Sequence, residues 1–154
     1  MKKNLIILFL LIIFPIKAFA LIEVDITRGN LNPLPLAVSP LSIDEESKTS
    51  FEKILKKENI GSEISKIVEN NLRTSGLFNP ISKDAFLQAP DIANLKPRFE
   101  DWNLIKAQAL ITGKVTYVNE KLRVEFRLWD ILAAKEMMAL AFTTVPSNWR
   151  RVGH

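Results

Sequence analysis

The sequence predicts an α+β domain: a mixed β-sheet of about five strands packed by one long helix. Two observations carry this prediction. Residues 109–118, 122–130 and 136–144 form three strand-length runs, and the middle one alternates strictly. Ahead of them, Ile60, Ile64, Ile67, Val68 and Leu72 step by three and four, the spacing of a helix with one buried stripe. Two shorter apolar runs precede that helix. The order strand–strand–helix–(short helix)–strand–strand–strand suits a mixed-sheet sandwich.

The elements follow in order. Met1-Lys2-Lys3 is a short basic start, and Asn4 to Ile16 is almost wholly apolar for about 13 residues. A membrane-spanning helix needs roughly 20. Ala18-Phe19-Ala20 has the small-x-small form of an export cleavage site, with Pro15 breaking the helix before it. Residues 1–20 therefore read as a cleaved signal peptide, leaving no transmembrane span. Lys2, Lys3 and Lys17 leave with it, so the net charge of +4 falls to +1 over 134 remaining residues.

Ile22 to Ile26 alternates apolar and acidic residues, as a half-buried strand does. Two readings stay open: an ordinary first strand, or an extended segment that adds to a partner's sheet edge. Leu34 to Val38 is a second short run, and its flanking prolines put it at a sheet edge or keep it short. Ser42 to Ser50 reads as a solvated loop. Phe51 to Ser75 is the main helical region, closed by Gly76 as a left-handed cap. Leu77 and Phe78 return to the core, and Asn79-Pro80 closes a turn. Ser82 to Asp101 is loop-like, and Phe99 to Ala107 forms a short helix. Asn119-Glu120-Lys121 joins the first two late strands as a hairpin loop. In the second of these, Leu122, Val124, Phe126 and Leu128 face one way; Arg123, Glu125, Arg127 and Trp129 face the other. Asn148 to His154 opens a helix with Ser147 as its cap.

The chemistry is sparse. The chain has no Cys and one His, His154, which argues against Cys-zinc sites, thiol catalysis and Ser–His–Asp catalysis. The acidic runs Asp44-Glu45-Glu46 and Glu100-Asp101 read as solvated charge rather than a catalytic pair. Gly113 reads as a packing position in its strand. Lys56-Lys57 and Arg150-Arg151 lack interleaved aromatics apart from Trp149, so no nucleic acid partner is expected. Trp129 is a docking aromatic or, more in keeping with its neighbours, packs under a helix. No enzymatic activity, cofactor or metal is expected.

Four blocks resemble one family. Glu69 to Ile81 (ENNLRTSGLFNPI) is similar to the helix end and turn of the TolB amino-terminal domain, with its D/N-L-R-x-S-G-x-F pattern. Trp102 with Ala109 to Val115 resembles the family's W…AxVxGxV strand. Val124 to Asp130 resembles its next hairpin strand. Trp149 to His154 (WRRVGH) resembles the W-R-x-x-[AG]-H that opens its second helix. The four blocks keep the family's order and spacing.

The resemblance implies a periplasmic, non-enzymatic component of the Tol–Pal envelope system, serving outer-membrane integrity, cell division and protein import. Its partner would be TolA, bound through the segment after the signal peptide. Carried over, that segment is Leu21, Ile22, Glu23, Val24, Asp25, Ile26, Thr27 and Arg28, within an extended leader of residues 21–33. The α/β domain then covers residues 34–154. Thr27-Arg28-Gly29 stands where the family has a small-residue and acidic turn. Relative to the family, its second helix, last strand and β-propeller are missing, so Pal, which binds the propeller, is not expected as a partner. That reads as a truncated or split gene product, with apolar sheet face left uncovered on the order of hundreds of Å². The alternatives are a non-functional remnant, or an unrelated small periplasmic binding domain.

Overall fold

The structure, a computed structural model, describes residues 32–91 and 96–154. Its centre is one six-stranded mixed sheet. Strand β1 (Leu34–Val38) lies between β3 (Phe78–Pro80) and β4 (Ala109–Val118), parallel to both. Strands β5 (Lys121–Asp130) and β6 (Lys135–Thr144) continue the sheet antiparallel from β4. The two-residue β2 (Ser42–Ile43) pairs with β4 farther along the line of β1.

β1 is short, but it is an interior strand. Its proline is accommodated at the strand's beginning. The Pro35 carbonyl accepts from Gln108 N at 2.9 Å, so the missing N–H falls where β4 has not yet begun. Asn79-Pro80, read as a turn, is instead part of β3, in register with Pro35 and Leu36.

Ser42 to Ser50 is a strand end and a helix rather than a loop. Helix α1 (Glu45–Leu55) starts at Asp44, whose carboxylate accepts from Ser47 N at 2.9 Å. The acids taken as solvated charge are thus a cap and a first turn, where the helix dipole favours negative charge. The Ser47 hydroxyl in turn accepts from Tyr117 N at 2.8 Å, docking α1 against β4 beyond the reach of β2. The helical region from Phe51 to Ser75 is split: α1 ends at Leu55, with Lys56 left-handed (φ 52°), and helix α2 (Ile60–Thr74) follows. Gly76, at φ 72°, ends α2 as the cap pattern predicts. Leu77 points outward, 54% exposed, while the half-buried Phe78 packs under α2.

The hairpin loop is two residues, not three. Asn119 and Glu120 both have positive φ (50° and 60°), as a type I′ turn requires. Glu120 is an unusual residue there, and Lys121 joins the strand. Between β5 and β6 the register shifts at Leu128/Trp129, leaving Met137 as an extra residue in β6.

Each face of the sheet carries a core. On one face Phe51, Ile60 and Ile64 meet Val115, Leu122 and Val124, and Val68 and Leu72 meet Leu36 and Ala109. Each fully buried side chain of this size contributes about 1.5–3 kcal/mol. The Ser65 hydroxyl accepts from Leu41 N at 3.0 Å, pinning α2 to the link between β1 and β2. On the other face helix α3 (Phe99–Leu104) places Trp102 on Ala37, Leu110 and Trp129. The buried Gln88 fixes that corner, accepting from Trp102 Nε1 at 3.2 Å and donating to the Arg98 carbonyl at 3.1 Å. The last residues form a 3-10 helix (Pro146–Gly153) preceded by Val145, without a Ser147 side-chain cap.

Candidate functional site

The residues expected to bind a partner, Leu21 to Arg28, lie outside the described residues. The described domain offers two other features, an open apolar face and a cation-flanked tryptophan.

The apolar face is the part of the sheet that α2 does not reach. The pattern in β5 aims Leu122, Val124, Phe126 and Leu128 at it, as the alternation predicts. Their β6 partners are Thr144, Phe142, Leu140 and Met138. Near α2 Leu122 and Val124 are buried, whereas Met138, Leu140 and Phe142 stay 51%, 48% and 45% exposed. A groove of about 250 Å³ runs between Val68, Ile111, Phe126 and these three, with Val152 at its rim. A second hollow of about 410 Å³ lies beside it, among Leu34, Leu72, Phe78, Leu128 and Met137. This face can make dispersion and apolar contacts, and it brings together no nucleophile with a base.

Trp149 is buried among Leu41, Phe51 and Leu122. The cations of Lys57 and Arg150 lie over its ring, 5.3 and 5.1 Å from the centroid. The two basic pairs noted in the sequence are therefore neighbours in space. Asn71 ties this end of the chain to α2, donating to the Gly153 carbonyl at 2.8 Å and meeting His154 Nδ1 at 3.1 Å.

Both acidic runs have structural work. The Ser47 backbone N–H holds the Asp44 carboxyl below its usual range, and Lys114 adds to this from 3.4 Å. For Asp101 the main cause of lowering is the Gln88 amide, followed by the Arg98 guanidinium at 2.7 Å. Among the described residues, no group of three or more His, Cys, Asp or Glu side chains is placed to hold a metal ion. No described helix is long and apolar enough to cross a membrane.

Gly113 is a packing position. A Cβ there would run into the Glu125 carbonyl across the hairpin. Trp129 packs under α3, edge-on to Phe99 at 5.9 Å, with its indole N–H bonded to Thr112. Sequence reasoning missed Asp44 as a cap, although an Asp followed by two Glu is a recognisable helix start. Nothing in the local sequence signals Gln88.

The TolB amino-terminal domain family model matches residues 22–137. The chain belongs to this family. It is similar to the Tol-Pal system protein TolB of Pelagibacter ubique, 83% identical over 145 residues, which is 94% of this chain and 32% of that protein. The chain thus spans about a third of the length of that curated TolB. Its fold resembles that of TolB from Acinetobacter baumannii, with a TM-score of 0.60 at 20% identity over 79% of this chain and 26% of that one. It also resembles the LpoB C-terminal domain from Escherichia coli, with a TM-score of 0.53 at 11% identity over 76% of this chain and 86% of that one. At these identities both structures speak to the fold alone. The mixed sheet with a long helix is the TolB amino-terminal fold that the four sequence blocks implied.

Proposed function

We propose that this chain is a non-enzymatic interaction domain of the Tol–Pal system, working in the periplasm. Its partner is TolA, engaged by Leu21, Ile22, Glu23, Val24, Asp25, Ile26, Thr27 and Arg28. Through that contact it serves outer-membrane integrity, cell division and protein import. The observation that carries the reading is the 83% identity to a Tol-Pal system TolB over nearly the whole chain. The apolar–acidic alternation from Ile22 to Ile26 supports strand addition as the binding mode, with main-chain bonds giving affinity and alternate side chains giving register. The export signal read in residues 1–20 supports the compartment.

A pull-down against the C-terminal domain of TolA tests this, comparing the chain with a form lacking residues 21–32. Capture that depends on the segment is expected. Unchanged capture after the deletion overturns the site assignment, and no capture by either form overturns the partner.

A further inference from the structure

β1 is the first element of the described domain, and the segment read as partner-binding leads directly into it. Five residues, Gly29 to Pro33, separate Arg28 from Leu34. Even fully extended, such a stretch spans at most about 18 Å. A partner that holds the segment and moves away therefore pulls on β1 after a short displacement.

The strand is held on both edges and both faces. Towards β3, Leu34 N donates to the Leu77 carbonyl and the Leu36 carbonyl accepts from Ile81 N, both at 2.9 Å. Towards β4, the Pro35 carbonyl accepts from Gln108 N and Ser39 N donates to the Ile111 carbonyl, again at 2.9 Å. Leu36 and Val38 are buried on the α2 face, and Ala37 is buried with Trp102 on the α3 face. Beyond the strand, Leu41 N is tied to the Ser65 hydroxyl. These contacts all lie inside the described domain, so none of them waits on another surface.

We infer that β1 is a tension anchor for the leader, a strand that carries a pull on the residues ahead of Leu34 in shear. This rests on the reading that the leader holds a partner, which supplies the pull. β3 and β4 run parallel to β1 and begin beside its first residues. A pull along the strand axis drags β1 out between them. The bonds of both ladders lie across that pull and are loaded together. A pull across the sheet instead opens them one after another. Nor can β1 creep by single residues, because a slip of one turns Leu36, Ala37 and Val38 to the wrong faces. A slip of two restores the faces but needs roughly 6.6 Å, by which point every ladder bond has broken. The leader can thus pass a displacement of its partner to the whole domain without opening the sheet.

The test exploits the absence of cysteine from the chain, so that introduced pairs are unique handles for single-molecule force spectroscopy. Asn32, Lys121 and Ala133 are all exposed. In the full chain, Asn32→Cys with Lys121→Cys pulls along the strands, from the start of β1 to the far end of β4. Asn32→Cys with Ala133→Cys pulls across the sheet, between the start of β1 and the turn joining β5 to β6. The first pair should rupture at about three times the force of the second or more, because its ladder bonds break together. Leu34→Pro, added to the first pair, deletes the N–H that bonds Leu77, whereas Leu34→Ala keeps it and removes only the side chain. The proline should lower the rupture force further than the alanine. Equal forces for the two pairs overturn the inference, as does a first pair that the proline weakens no more than the alanine. Both measurements are made without a partner, so their failure leaves the TolA reading standing. The pull-down, in turn, judges the partner alone.

Discussion

The indole N–H of Trp129 donates to the Thr112 hydroxyl at 2.8 Å, and both residues are buried. They lie diagonally on adjacent strands, since Thr112 is in register with Arg127 and Trp129 with Leu110. Thr112→Val keeps the shape and removes the acceptor, leaving a buried donor unpaired. The expected cost is about 1–3 kcal/mol in urea denaturation, with Thr112→Ser recovering most of it.

Gln88 presents the same situation at a loop. Gln88→Leu strips a partner from Trp102 Nε1 and from both backbone groups of Arg98. We expect a loss of about 1–3 kcal/mol. Hydrogen exchange should speed up at the Arg98 amide and the Trp102 indole, while the β4–β5 amides keep their relative protection.

The Asp44 cap sets an acid limit. Its folded pKa lies below the ordinary carboxylate value, so its contribution is complete above that value and lost as pH falls through the folded pKa. Asn caps a helix as well without titrating. Asp44→Asn should therefore flatten the fall in stability below about pH 4, seen by denaturation across an acid series. Asp44→Ala should cost about 0.5–1 kcal/mol near neutrality, at the low end for a half-exposed cap.

Two glycines separate crowding from conformation. Gly113→Ala drives a methyl into the Glu125 carbonyl, at a cost of about 1–3 kcal/mol. Gly76→Ala meets nothing within 4 Å, but holds alanine at φ 72°, at a cost of about 1–2 kcal/mol. Thermal melts of the two variants check both. Equal tolerance at Gly113 would mean the hairpin strands sit farther apart.

The fold was legible where the side-chain period was long enough to repeat. Three long strands, the stripe on α2 and the Gly76 cap could all be read. Short elements escaped because two or three residues show no period: β2 and β3 exist through their pairing with β4 and β1. The first half of α1, before Phe51, was hidden by its polar residues, the buried Ser47 being its one core contact. The prolines around β1 kept it short, as read. They did not fix its place, because a missing N–H matters only where a neighbour stands ready to receive it. The open face of β6 was foreseeable as uncovered area, and Met138, Leu140 and Phe142 there are about half exposed.

The central position of β1 bears on the order in which the domain is built. Its partners in the sheet lie 44 and 73 residues downstream, Leu34 against Phe78 and Leu36 against Ala109. The β4–β5–β6 meander closes through short turns, whereas β1 must be threaded between two strands made later. An emerging chain therefore holds β1, the earliest strand among the described residues, without its β4 partner until that strand exists. Pulse-labelled hydrogen exchange during refolding should show the meander protected first and β1 last. Simultaneous protection would mean the sheet forms in one cooperative step.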